Sequence, residues 1–184
     1  MKYSFFLSLL LLTPLAMADA LSDRLAGFST LNESQGNFVE TLSASYLSEP
    51  LISRGTLSYK RPGQLSKLIT SPVFIEQQIK GNELSIIRNN TTRSIQLTSH
   101  PELAVSIFAL QAILDGNESN LHKHFELRYN EVSTGWALSL TPKNRQAAKR
   151  IGEIILQGMD NSIRRTTILF HNGDTLITDI TNGN

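Results

Sequence analysis

The chain has 184 residues, 17 Lys and Arg against 16 Asp and Glu, no cysteine, and only 7% aromatic residues. The near-neutral balance excludes a nucleic-acid surface, which needs a basic excess, and the low aromatic content argues against a sugar- or base-stacking platform. Without cysteine there are no disulfides, so packing alone must stabilise the fold.

The first eighteen residues read as a secretory leader. Met1-Lys2-Tyr3 is a short basic start, Phe5 to Leu15 is nearly all apolar, and Ala16-Met17-Ala18 is a small-x-small cleavage site. The apolar run is too short and too early for a membrane span, and no later stretch approaches that length. Removing 18 of the 184 residues leaves 166, starting at Asp19, and removing Lys2 leaves 16 basic against 16 acidic residues. The expected organisation is a signal peptide over 1–18 and one domain over 19–184. No cysteine follows the cleavage site to carry a lipid. An exported chain of this size without disulfides points to the periplasm of a Gram-negative bacterium. Asn-x-Ser/Thr triplets such as Asn32-Glu33-Ser34 are then incidental.

A short helix is expected over Ser22–Leu31, where Leu21, Leu25 and Phe28 recur at i, i+4, i+7. Alternation follows. Phe38, Leu42 and Tyr46 share one face, and Val39, Thr41, Ser43 and Ser45 the other. After the Ser48-Glu49-Pro50 break, Leu57 and Tyr59 alternate with Thr56, Ser58 and Lys60, which predicts a hairpin with one apolar face. Arg61-Pro62-Gly63 is a turn, Leu65–Thr70 a strand, and Ser71-Pro72 a turn before the alternating Val73, Ile75 and Ile79. Gly81-Asn82 suits a two-residue type II′ turn, with glycine first. Leu84 and Ile86, then Ile95 and Leu97, make strands on either side of Asn89-Asn90.

The middle helix is expected from Pro101, a residue suited to the first helical position, to Leu114, with Asp115-Gly116 as its stop. Leu103, Ala104, Val105, Ile107, Phe108, Ala109, Leu110, Ala112, Ile113 and Leu114 leave no wide polar face. Such a helix must be buried on most sides. Further strands are expected near Leu121–Asn130, Gly135–Thr141, Arg150–Gln157, Ser162–Phe170 and Thr175–Thr181, with Asn172-Gly173 as a hairpin signal. The count is eleven strands, antiparallel because the connections are short. The fold class is mainly β: one curved antiparallel sheet wrapped around the apolar helix.

Catalytic signals are weak. There is no Gly-x-Ser-x-Gly elbow and no phosphate loop. His122 and His124 could share one face of a strand as two metal ligands, but no third ligand stands at a diagnostic spacing, so a polar edge strand is preferred. No catalytic residue, metal or cofactor is expected. Two charges break the apolar pattern: Glu40 between Phe38 and Leu42, and Arg61 with the parity of Leu57 and Tyr59. An odd pairing sum, taken as 99, makes these faces coincide and brings Glu40 and Arg61 within diagonal reach. They are either strand ends meeting solvent or a partly buried polar pair at a cavity wall. Lys143, Arg145, Lys149 and Arg150 read as a solvated loop before a docking site.

These features resemble the LolA family. The resemblance rests on Gly36-Asn37-Phe38-Val39-Glu40, Gly55-x-Leu57-x-Tyr59-Lys60-Arg61-Pro62, Pro72 and Lys80-Gly81-Asn82, with weaker echoes at Trp136-x-Leu138-x-Leu140-x-Pro142 and Asn172-Gly173-Asp174-x-Leu176. It implies an open, eleven-stranded half-barrel whose apolar cavity is covered by helices. It also implies a periplasmic carrier that moves acylated lipoprotein from an inner-membrane donor complex or exporter to an outer-membrane acceptor. The family's lid arginine falls on Arg61, whose rigid fork suits capping helix carbonyls. The chain departs from the family at Glu40, where glutamine is usual, at Leu65 and Lys67, where an aromatic is common, and in ending soon after Ile180. The cargo is therefore a lipoprotein or another acylated lipid.

The expectation is a monomeric carrier, not an enzyme, binding acyl chains through Phe38, Glu40, Leu42, Leu57, Tyr59, Arg61, Leu103, Ile107, Phe108 and Leu110. The alternatives are a periplasmic sensor or adaptor that uses the half-barrel to bind a regulatory protein, and an enzyme of the bacterial surface.

Overall fold

A computed structural model describes residues 15–182. Residues 1–14 of the expected leader lie outside the described residues. Helix α1 (Leu15–Ser29) starts earlier than the periodicity predicts and ends two residues sooner. Its stripe is as expected: Leu21, Leu25 and Phe28 are buried.

Strands β1 (Glu33–Ser43), β2 (Leu51–Lys60), β3 (Gln64–Ser71), β4 (Ile75–Lys80), β5 (Glu83–Arg88) and β6 (Thr91–Gln96) come first. Helices α2 (Pro101–Leu114) and α3 (Glu118–His124) follow. The chain closes with β7 (Phe125–Val132), β8 (Gly135–Pro142), α4 (Arg145–Ala148), β9 (Ile151–Met159), β10 (Ser162–Phe170) and β11 (Thr175–Asn182). All eleven strands form one antiparallel sheet in the order β6-β5-β4-β3-β2-β1-β11-β10-β9-β8-β7. Two meanders thus meet where β1 pairs with β11, and β6 and β7 are open edges. The sheet must curve. Ile86 on β5 and Ile168 on β10 line the same cavity, although six strand steps separate them. In a flat sheet that distance would be roughly 29 Å, at about 4.8 Å per step.

Helix α2 has the predicted limits, with Pro101 in its first turn. It ends in a Schellman arrangement. Gly116 N–H donates to Ile113 O (2.9 Å) and Asn117 N–H to Ala112 O (2.7 Å). Gly116 takes φ +65°, and a Cβ there would sit 2.5 Å from Leu25 O on α1.

Several expectations are corrected. The β1–β2 register sums to 93, not 99: Phe38 faces Gly55 and Glu40 faces Ser53. The strands stay paired as far as Leu42 and Leu51, closer to the turn than expected, and the 44–50 connection is held by Ser45 N–H donating to Asp174 Oδ1 at 2.9 Å. Both sums are odd, so face parity survives: Phe38 and Tyr59 are buried and Lys60 is exposed. The proposed Glu40–Arg61 neighbourhood does not. Tyr46, placed on the apolar face, is 74% exposed in that connection. Val73 is exposed between β3 and β4, and Leu97 opens a 3-10 turn rather than ending a strand.

The strand expected from Leu121 starts only at Phe125, because Glu118–His124 is helix. Asn117 caps it by accepting from Asn120 N–H (3.0 Å), and Lys123 falls in its last turn, where a cation suits the helix dipole. Two residues apart on a helix, His122 and His124 cannot share a face. His122 lies 3.4 Å from Glu118, and His124 turns toward the Phe108 ring, 6.0 Å away. Among the described residues no cluster of three metal-ligating side chains occurs. The basic loop is partly anchored. Asn144 accepts from Gln146 and Ala147 N–H, nucleating α4, and Ala147 is fully buried.

The main core fills the space between β7–β9 and helices α1, α3 and α4, around Phe28, Leu121, Phe125, Trp136, Leu140 and Leu156. A smaller cluster of Ile79, Leu84, Leu97 and Ala104 closes the other end.

Candidate functional site

Between α2 and the sheet lies a cavity of about 360 Å³. Helix α2 lines it with Leu103, Ile107, Leu110 and Leu114, spaced i, i+4, i+7, i+11 along one stripe. Val105, Ala109, Ala112 and Ile113 on its other side belong to the main core. This explains a helix without a polar face: one side seals the core and the other roofs a void. The sheet supplies Leu57, Ile79, Ile86, Ile168 and Ile180.

Six of the ten sequence-derived candidates line the cavity: Glu40, Leu57, Tyr59, Leu103, Ile107 and Leu110. Phe38 is buried beside it, under the Lys67 ammonium, which lies 4.8 Å from the ring centroid. Leu42 sits further along β1, opposite Leu51 and Leu176, and is half-buried. Phe108 leans toward His124 and the smaller cluster. Burial lowers the His124 pKa, and the neighbouring Lys123 charge adds to the shift.

Arg61 stands at the helix ends. Its Nε donates to Leu31 O (2.9 Å), Nη1 to Asp115 O (3.0 Å), and Nη2 to Phe28 O and Leu114 O (both 3.0 Å). One guanidinium thus caps carbonyls at the C-terminal ends of α1 and α2, where the helix dipoles are negative. Asp115 completes the junction. Its Oδ1 accepts from Tyr59 Oη (2.6 Å) and Gly63 N–H (3.0 Å), and lies 3.7 Å from Arg61 Nη1. Gln111 Nε2 donates to Gly63 O at 2.7 Å. Burial and the Asp115 bond raise the Tyr59 pKa, keeping the phenol a donor.

Sequence reasoning missed the partners of Glu40. Lys67 Nζ donates to both Glu40 oxygens (2.7 and 2.6 Å), and Thr178 Oγ1 donates to Oε2 (2.9 Å). A signal existed, because Lys67 interrupts Leu65 and Ile69 as Glu40 interrupts Phe38 and Leu42. Asp115 left none beyond its place at the helix stop, because its partners come from a distant turn.

Residues 16–182 match the family described as "Outer membrane lipoprotein carrier protein LolA-like". No protein of curated function matches the chain. Among solved structures, the chain is similar to a LolA superfamily protein from Nitrosomonas europaea (12% identity, covering 90% of this chain and 92% of that one, TM-score 0.47). It is also similar to a putative outer membrane lipoprotein-sorting protein domain from Vibrio parahaemolyticus (10%, 91% and 90%, 0.45). A third is a chain of the Pseudomonas aeruginosa MucA/MucB complex (16%, 90% and 56%, 0.46).

Proposed function

The chain belongs to the LolA-like family of outer membrane lipoprotein carrier proteins, and on that premise we propose that it is an exported periplasmic carrier of acyl chains. Residues 1–18 act as the cleaved leader, and the remainder sequesters acyl chains of a lipoprotein or lipid and passes them toward the outer membrane. The observation that carries this reading is the cavity roofed by the Leu103–Ile107–Leu110–Leu114 stripe. At about 30 Å³ per water-sized group, 360 Å³ holds about a dozen such groups, the size of one acyl chain in this conformation. Burial of hydrocarbon contributes about 0.8 kcal/mol per CH₂. Uptake is therefore driven by the cargo itself, and release requires an acceptor that binds the chain better. Arg61 and Asp115 tie the ends of α1 and α2 to the β2–β3 turn, so widening the cavity means breaking that junction.

The test has two steps. Organic extracts of protein purified from its native periplasm are analysed by mass spectrometry, and protein loaded with a fluorescent acyl probe is then mixed with acceptor membranes. The expected results are a copurifying acylated molecule and acceptor-dependent probe transfer. Folded protein that neither copurifies an acyl compound nor takes up the probe overturns the proposal.

A further inference from the structure

The cavity is not uniformly apolar: besides several serines, Gln35 and Asn161, its lining carries one aligned set of polar groups. Thr166 on β10 faces Thr178 on β11, which faces Glu40 on β1; across β2, Lys67 on β3 faces Gln77 on β4. All five residues line the cavity. They form a polar band across the sheet wall, opposite the α2 roof, whose lining is apolar apart from Ser106. The ion pair at its centre is largely withdrawn from solvent, with side chains 21% and 15% exposed for Lys67 and Glu40.

Fold stability does not require this pair. Apolar residues of similar volume in such a place are often neutral or stabilising. The band also has unused hydrogen-bonding capacity. Lys67 directs its ammonium at both Glu40 oxygens, which leaves one of its three N–H groups. The Gln77 amide faces the cavity without a protein partner among the described residues. The net charge of the band is zero, and Glu40 already supplies its anion.

We infer that this band reads the uncharged carbonyl of an acyl ester or amide and discriminates against a free carboxylate. The inference rests on the carrier reading and names the class of cargo. A carbonyl oxygen can accept from the remaining Lys67 N–H and from Gln77 Nε2 without adding charge. A carboxylate would place a second anion beside Glu40 inside a cavity of low dielectric, where like charges repel strongly. The acyl chain then runs along the α2 stripe, while the linkage group stays on the sheet wall.

The experiment displaces a fluorescent apolar probe from the purified protein at neutral pH. The competitors are a fatty-acid methyl ester, the free fatty acid and the n-alkane, all with chains of about twelve carbons, the length the cavity volume suggests. In the wild type the ester should compete about tenfold better than either of the others, the worth of one to two net hydrogen bonds. Lys67→Met should remove the advantage over the alkane. Glu40→Gln, nearly isosteric, leaves Lys67 without its anion and should reverse the preference toward the fatty acid. Circular dichroism establishes that each variant is folded, and Glu40→Gln alone suffices if Lys67→Met is not. Equal competition by ester and alkane in the wild type, or an unchanged ester-to-acid ratio in Glu40→Gln, overturns the inference while leaving the carrier reading in place. Failure of the folded wild type to bind the probe at all overturns both.

Discussion

On β8 and β9, Trp136, Leu138, Leu140 and Leu156 are at most 2% exposed and pack against Phe28, Leu121 and Phe125. On β2 to β5, Leu57, Leu65 and Ile86 occupy equivalent alternating positions but stay half-buried around a void. Both regions obey the same period-2 pattern. The difference lies in what faces them. Helices α1, α3 and α4 crowd the first region, and Trp136 lies over Gly158, where a Cβ would come within 2.3 Å of the indole. The second faces the α2 stripe, with Leu97 closing its end, and carries Glu40, Lys67 and Gln77, whose polar ends resist collapse onto the roof. Alternation therefore decides which face is covered, and side-chain volume and polarity decide whether the covered space is filled.

The comparison breaks most visibly in the dense region. Trp136→Ala should cost about 3–5 kcal/mol, because it removes a fully enclosed ring and its bond to Asp160 O. Chemical denaturation measures this, and a loss below about 1 kcal/mol would mean that the region is not the solid one. At the junction between the helices, Arg61→Leu should cost about 2 kcal/mol, since the freed carbonyls lie near enough to the surface to be rehydrated. The variant should fold, bind the acyl probe and fail to pass it to acceptor membranes. Hydrogen exchange should quicken at the C-terminal turns of α1 and α2, and unchanged exchange with normal transfer would reject the capping role.

A substitution that adds volume sharpens the contrast. Ile107→Trp should cost less than about 1 kcal/mol because it fills a void, yet abolish probe binding. Ala147→Phe in the dense region should cost more, about 1–3 kcal/mol, by overpacking. Equal penalties at the two sites would show that the cavity closes in solution. The smallest effect concerns pH. Burial lowers the His124 pKa, so the unfolded chain binds its proton first as pH falls below the ordinary histidine value near 6.5. Stability is full above that value and declines as pH falls toward the depressed folded pKa. His124→Gln should flatten this slope between pH 7 and 5 in pH-dependent denaturation, and an unchanged slope would assign it to other groups.

Much of this organisation is local and legible. Alternation marks the strands, Pro101 and Asp115-Gly116 bound α2, and the absence of a polar face on α2 requires cover on both sides. The parity of Phe38, Leu57, Tyr59 and Arg61 is legible too, because it depends only on odd or even spacing. The short helix at Glu118–His124 is not legible, because seven residues give too little periodicity to distinguish a helix from a strand.

What tertiary structure alone decided is the pairing between distant groups. The register of β1 against β2 goes with a connection that lies against Asp174, 129 residues away from Ser45. Glu40 found Lys67 and Thr178 rather than Arg61, because a six-residue change in the pairing sum moves the partner without changing the face. Arg61 reaches four carbonyls at and just beyond the ends of two helices only because the curved sheet brings those helix ends to one turn. Side-chain direction is a property of the local backbone and is written in the sequence. Side-chain company depends on loop closure and curvature, which sum over the whole chain.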